Sequence, residues 1–200
     1  TRMVANRLGL PEPIKLCAIS EMWRYDEPQF ARYRHFYQWD AEIYGSAEQE
    51  ADAEIICLGM DVLENLGFRD YEVRISNRRL TEGFLRSRGL ESRDRIEATI
   101  RVMDKTGKLP KEQVINEFNA IGLGHDLIHQ IMEFAGLKGR PDRVLSETPK
   151  IVGGVGQQGL EELIRLTEVL DAFKRTDRCI FDFSIVRGIG YYDGIVFEAY

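Results

Sequence analysis

The sequence predicts an α+β fold, a largely antiparallel sheet flanked by helices, with a small helical insertion. Three observations point to it. Two alternating segments flank a polar loop, as in a hairpin. Amphipathic helical segments separate them from later short strands, and a long middle stretch is helical and punctuated by Gly and Pro.

In chain order, residues 1–10 carry helical spacing, and Pro11-Glu12-Pro13 breaks it. An extended segment follows from Ile14 to Arg24, then a loop, Tyr25 to Ala31, rich in turn-forming residues. The second strand is predicted over Arg32 to Tyr44. Its even positions are Arg32, Arg34, Phe36, Gln38, Asp40 and Glu42, and its odd positions form a nearly continuous aromatic and aliphatic face. A helix is predicted from Ala47 to Leu66, with an apolar stripe of Ala51, Ile55, Leu58, Val62 and Leu66 and with Gly67 to end it. Tyr71 to Ile75 alternates as a strand. Helices are predicted over Ser92–Asp104, Lys111–Ala120 and Asp126–Ala135, then over Leu160–Lys174. The chain closes with a strand Cys179–Val186, a turn Arg187–Gly194 and a strand Ile195–Tyr200. Residues 1–83 and 151–200 are read as the core, and 84–150 as the helical insertion.

Composition narrows the function. Hydrophobic residues at 44% and charged residues at 30% are ordinary for a globular chain. No apolar run approaches the ~18 residues that would span a bilayer, so no membrane partner is expected. The chain opens without Met or a signal-peptide pattern and reads as a piece of something longer. Cys17, Cys57 and Cys179 stand far apart, which favours reduced, buried thiols and a cytoplasmic setting. A net charge of −6 argues against indiscriminate coating of nucleic acid while leaving room for a local basic contact.

Two constellations could carry chemistry. On the Arg32–Tyr44 face, arginines come first and acceptors later. At ~3.3 Å per residue, Arg34 and Glu42 lie about 26 Å apart, too far to pair along the strand. Such a face suits a composite ligand, anionic at one end and cationic or hydrogen-donating at the other; a solvated strand face is the plainer reading. The turn Arg187-Gly188-Ile189-Gly190-Tyr191-Tyr192 could bring backbone close to a ligand while its arginine clamps a carboxylate or phosphate. An ordinary strand connection would look the same. Gly154-Val155-Gly156-Gln157-Gln158-Gly159 matches G-x-G-x-x-G, but no full βαβ unit surrounds it, so a flexible connection is expected. His125 and His129 have a metal-compatible spacing without a third ligand, and no metal site is expected. The arginine-rich stretch Arg74 to Arg101 is read as a solvated helix face.

The string Trp23-Arg24-Tyr25-Asp26-Glu27-Pro28-Gln29-Phe30-Ala31-Arg32-Tyr33-Arg34-His35-Phe36-Tyr37-Gln38-Trp39-Asp40-Ala41-Glu42 closely resembles motif 2 of histidyl-tRNA synthetases. Ile185 to Tyr192, followed by Val196-Phe197-Glu198, is similar to the histidine-specific signature of that family. The likeness extends over most of the chain and is weakest in the insertion. Motif 1, motif 3 and the anticodon-binding domain are not matched, so these 200 residues alone are expected to be inactive.

The resemblance implies a class II synthetase core, a homodimer, and ATP (with Mg2+), histidine and tRNA(His) as substrates and partners. By motif position, it implies that Arg24 binds the ATP α-phosphate, with Asp26, Arg32 and Arg34 also facing ATP. Asp26 stands where class II members usually carry glutamate. Gln38 matches the residue that holds the α-amino group of histidine, and Glu42 the carboxylate that reads the imidazole. Arg187 matches the catalytic arginine between the histidine carboxylate and the α-phosphate. Tyr191 and Tyr192 match the imidazole-pocket tyrosines, while Gly190 replaces an aspartate common in bacterial members. The alternatives are a non-catalytic, synthetase-like regulatory subunit of histidine biosynthesis, and a dinucleotide-binding oxidoreductase built on Gly154–Gly159.

Overall fold

Alternation over two ten-residue segments yields strands β1 (Ile14–Trp23) and β2 (His35–Tyr44). They pair antiparallel without interruption, from Ile14 opposite Tyr44 to Trp23 opposite His35. The computed structural model describes residues 4, 6, 10–152, 154–187 and 193–200, so most of the predicted helical spacing in residues 1–10 lies outside the described residues. The chain divides into two units, Thr1–Ile55 and Ile56–Tyr200.

In the first unit the second strand begins at His35 instead of the predicted Arg32. The cause is a tight turn in which Gln29 and Arg32 exchange backbone hydrogen bonds at 3.3 and 3.0 Å, with Ala31 at φ +60°. Arg34 adds one more ladder bond, accepting from the Arg24 N–H at 2.9 Å. The even face of β2 is not the solvated face that the plainer sequence reading gave. Phe36, Gln38 and Asp40 are half-buried, whereas Ile19 (74%) and Tyr37 (70%) stand exposed on the other face. Cys17 is exposed too, so only Cys57 and Cys179 fit the expectation of sheltered thiols. Lys15 reaches both carboxylate oxygens of Glu54, at 2.6 and 2.7 Å.

Helix α1 (Gln49–Asn65) matches its prediction, and Gly67 at φ +93° stops it by adopting a conformation that side chains resist. Its buried positions are Ala53, Ile56 and Met60, while Leu58 and Leu66 of the predicted stripe are exposed. The run Ile55-Ile56-Cys57-Leu58 is apolar all round, so periodicity alone could not select the inward face.

The second unit holds a four-stranded sheet of order β4–β5–β3–β6, made of Lys138–Gly139, Cys179–Asp182, Val73–Asn77 and Ile195–Ala199. β3 pairs parallel with β5 and antiparallel with β6, and β4 pairs antiparallel with β5. With the hairpin and the helices this is the predicted α+β class. β5 ends at Asp182, short of the predicted Val186, where Ser184 folds back to donate to Asp182 through its N–H and hydroxyl.

Helix α2 (Arg78–Ser87) was missed, because its arginines masked a strong amphipathic pattern. Asn77 caps it, accepting from the Leu80 N–H at 3.0 Å. Helices α3 (Arg93–Met103), α4 (Lys111–Ala120) and α5 (His125–Ala135) follow the predicted segments closely. Two short helices, α6 (Pro141–Glu147) and α7 (Pro149–Val152), were not predicted; each starts at a proline. The last helix, α8 (Gln157–Ala172), begins three residues before its predicted start.

Its glycine-rich start is a packing device, not a flexible link. A Cβ on Gly159 would lie 2.4 Å from the Leu80 backbone nitrogen and 2.8 Å from Asn77 Oδ1. The glycine lets α8 press against α2, which fills the space a phosphate would need. At the centre of the unit Phe84, Phe134 and Phe183 stack in sequence, with centroids 4.3 and 5.2 Å apart. All three are fully buried, joining α2, α5 and the end of β5. Arg175 is held by Asp61 and by Glu64 (2.7 Å), and Glu64 also accepts from the Tyr71 hydroxyl at 2.7 Å. That hydroxyl bond, together with Arg175, holds the Glu64 carboxyl below the usual glutamate range.

Two outcomes are expected. Phe134→Ala removes the middle ring and should lower unfolding free energy by about 3–5 kcal/mol in urea titration. Because Glu64 has a depressed pKa, its stabilisation is present above the ordinary glutamate range and is lost as pH falls through the folded value. Glu64→Gln should therefore melt below wild type at pH 7, and the gap should close on acidification in a melting-temperature series.

Candidate active site

Each unit carries one set of the predicted site residues. In the first unit, the half-buried Arg24 is gripped through its backbone bond to Arg34 and through its guanidinium, 3.7 Å above the Phe36 ring centroid. Its Nε is buried and has no acceptor among the described residues. A buried charged donor left unpaired costs about 1–3 kcal/mol or more, which an arriving anion would recover.

Asp26, Arg32 and Arg34 cluster in the loop ahead of β2, not on the strand face. Arg32 pairs with Asp26 through Nη2 at 2.7 Å and Nε at 3.2 Å, and Arg34 Nε donates to the Asp26 carbonyl at 2.8 Å. The pair is half exposed, and such pairs contribute at most about 1 kcal/mol. A phosphate could exchange into it at little cost. The acceptors Gln38, Asp40 and Glu42 do share one face of β2, opposite Ser20, Ala18 and Leu16. Gln38 Nε2 donates to Asp40 Oδ1 at 2.7 Å, and the Tyr44 hydroxyl donates to Glu42 Oε2 at 2.6 Å. Among the described residues Gln38 thus has its carbonyl oxygen available, with the Asp40 charge beside it. Sequence reasoning counted Asp40 among the acceptors of this face, between Gln38 and Glu42, but the motif resemblance gave it no role of its own.

In the second unit, Arg187 stands at φ +44°, a left-handed conformation that costs a non-glycine residue of order 1–3 kcal/mol. Segment 77–79 holds it there. Arg78, its side chain fully buried, donates from Nη1 to the Arg187 carbonyl at 3.0 Å, and its backbone N–H donates to Gly194 at 2.8 Å. Arg79 pairs with Asp193 at 2.8 Å and Glu162 at 2.5 Å. Asn77 Nδ2 also reaches Glu162, at 2.7 Å. Both ends of the glycine-rich turn are therefore fastened to the β3–α2 junction. Gly188 to Tyr192, including the predicted Tyr191 and Tyr192, lie outside the described residues.

The Arg187 guanidinium pairs with Glu198 Oε1, and the Tyr200 hydroxyl donates to Glu198 Oε2 at 2.7 Å. That bond, with burial, pushes the Tyr200 phenol up to about 12. Arg74 lies 3.9 Å over the Tyr200 ring and is itself paired with Glu72 at 2.6 Å and Asp182 at 3.5 Å. A cavity of about 150 Å3 opens beside this row, with Arg74, Ser184, Glu198 and Tyr200 in its lining. Arg74 and Arg78 correct the solvated-face reading of residues 74–101, since Arg78 is among the most buried side chains of the chain. The missed signal was an asparagine cap followed at once by two arginines at the end of an apolar strand.

The remaining candidate is bland. His125 and His129 are exposed, and His129 Nδ1 lies 3.6 Å from Glu133. Among the described residues no group of three or more His, Cys, Asp or Glu side chains could hold a metal ion, and no helix is long and apolar enough to cross a membrane.

Comparison with known proteins gives a consistent picture. The family model described as Histidyl-tRNA synthetase matches residues 1–200. The Histidine--tRNA ligase of Pyrococcus horikoshii is 38% identical over 200 residues, covering 99% of this chain and 46% of that protein. The Histidine--tRNA ligase of Pyrobaculum neutrophilum is 39% identical over 203 residues, covering 100% of this chain and 46% of that protein. The chain thus spans about half the length of these relatives. Among solved structures, histidyl-tRNA synthetase from Nostoc superposes with TM-score 0.88 at 22% identity, covering 99% of this chain and 46% of that one. A protein of Bacillus halodurans titled as an ATP phosphoribosyltransferase regulatory subunit/histidyl-tRNA synthetase superposes with TM-score 0.83 at 22% identity, covering 100% and 51%. At that identity the structures speak for the fold alone.

Arg78 supplies a stability test. Arg78→Met leaves Glu97 and the Arg187 carbonyl without their donor, and breaking a buried pair in this way should lower unfolding free energy by about 3–5 kcal/mol in urea titration.

Proposed function

Because this chain belongs to the histidyl-tRNA synthetase family, we propose that the protein it represents is an ATP-dependent histidine–tRNA ligase. It joins histidine to ATP as histidyl-adenylate and then transfers the histidyl group to the 3′ end of tRNA(His). The observation that carries this reading is Arg24, a stacked guanidinium whose buried Nε has no acceptor among the described residues.

In the first step a histidine carboxylate oxygen bonds to the α-phosphorus, and the bond from that phosphorus to the bridging oxygen breaks as pyrophosphate leaves. Negative charge gathers on phosphoryl oxygens and little proton transfer is needed, so fixed cations and alignment account for most of the rate. Arg24 and Arg187 take these oxygens, Arg187 also holding the histidine carboxylate. Planar guanidinium groups suit the task because they give paired, directional donors. Asp26, Arg32 and Arg34 face the nucleotide, the weak Asp26–Arg32 pair yielding to phosphate.

Gln38 receives the α-ammonium through its carbonyl oxygen, with Asp40 adding charge next to it. Glu42, held by Tyr44, reads the imidazole together with Tyr191 and Tyr192. An apolar isostere would leave these groups unpaired and is strongly rejected. In the second step the terminal ribose hydroxyl attacks the acyl carbon and AMP departs. Magnesium enters with the nucleotide as Mg·ATP, and no protein cage for it is assigned among the described residues. Residues 84–150 form an insertion into the catalytic core, and the protein works in the cytoplasm as a homodimer.

The test is histidine-dependent ATP–pyrophosphate exchange by the full-length protein. Arg24→Ala and Arg187→Ala should each reduce exchange by about 10²-fold or more with the fold retained by circular dichroism. Near-normal exchange in either variant would refute that residue's role. A wild-type protein without exchange would favour the regulatory-subunit reading.

A further inference from the structure

Resting on the assignment of Arg187 to the reacting phosphate, we propose that Glu198 and Arg78 are its positioning residues, gripping it at two points so that it meets the ligand already aligned.

The first grip is on the backbone. Arg187 has an unfavourable φ of +44°, and the Arg78 guanidinium captures its carbonyl at 3.0 Å. Arg78 is itself immobilised by Glu82 at 2.9 Å and Glu97 at 2.8 Å. The second grip is on the side chain. Glu198 Oε1 accepts from Arg187 Nη1 while Oε2 accepts from the Tyr200 hydroxyl, so both carboxylate oxygens are engaged and the carboxylate is fixed. Tyr200 is fixed in turn by the Arg74 guanidinium against its ring. Register reinforces the row, since Glu198 lies directly opposite Arg74 across the β3–β6 ladder.

A guanidinium carries five N–H donors, and Glu198 engages one nitrogen of Arg187, leaving the others for an anion. An unrestrained arginine side chain must lose its rotamer freedom when it binds; a clamped one has already lost it. Glu198 also carries a negative charge towards a site for phosphate. Its value here is alignment, so a neutral acceptor of the same shape should do most of its work.

The experiment compares single and double variants of the full-length protein by pyrophosphate exchange. Glu198→Ala should lower kcat about tenfold or more, with KM for histidine changed far less. Glu198→Gln, which keeps an acceptor oxygen, should recover most of that loss. In an Arg187→Ala background, Glu198→Ala should cause no further loss. Wild-type kcat in Glu198→Ala, or an equal loss in the Arg187→Ala background, would overturn the proposal. A second readout does not depend on activity. In protein carrying 15N-arginine, the Arg187 guanidinium signal, identified by its disappearance in Arg187→Lys, should move to the position of a free side chain in Glu198→Ala. An unmoved signal would overturn the clamp. A wild type without exchange but with this shift would refute the ligase reading while leaving the clamp standing.

Discussion

The arrangement of the second unit depends on one buried guanidinium. Arg78 is fully enclosed, and a charge taken out of water costs several kcal/mol unless it is paired and hydrogen-bonded. Glu82, Glu97 and the Arg187 carbonyl meet that demand from three parts of the chain. The requirement is mutual: the guanidinium needs acceptors, and the acceptors need the α2 helix to begin where it does. Asn77 sets that point by capping the helix, and Gly159 allows α8 to press against the cap. A strand end, a helix start and a glycine-rich turn are thus fastened at one junction.

The first unit solves a different problem by different means. Its arginines are not enclosed by carboxylates. Arg24 is held by an aromatic face and a backbone bond, which fix its position without neutralising it. The Asp26–Arg32 pair is exposed enough to open, while the acceptors on β2 are each steadied by a neighbour on the same face. Strong confinement serves residues that must not move. Weak pairing leaves residues able to exchange one partner for another.

Much of this was legible from residue order, and what was not has identifiable causes. The hairpin, α1 with its glycine stop and the helices α3 to α5 follow from period and punctuation, since local sterics decide both. The start of β2 was misplaced because a turn at Gln29–Arg32 interrupts an alternation that reads as continuous on paper. The inward face of α1 was misjudged because four consecutive apolar residues leave the choice to the surroundings. Helix α2 was overlooked because arginines imply solvent, and only partners distant in sequence can make one buried. The G-x-G-x-x-G segment resembled a phosphate loop, yet its last glycine answers to Leu80 and Asn77.

By itself the sequence determined the hairpin, most of the longer helices and the chemical kind of the site residues, because these follow from backbone sterics, alternation and side-chain identity along a short stretch. The two long motifs also settled the family, since each fixes many residue types at set spacings. Only tertiary structure decided which charges are paired, which are sheltered and which remain available. Glu198 against Arg187, and Arg78 beneath the same turn, are cases in point. Pairing energy depends on distance and on the exclusion of water, and a linear order of residues encodes neither until the chain has folded.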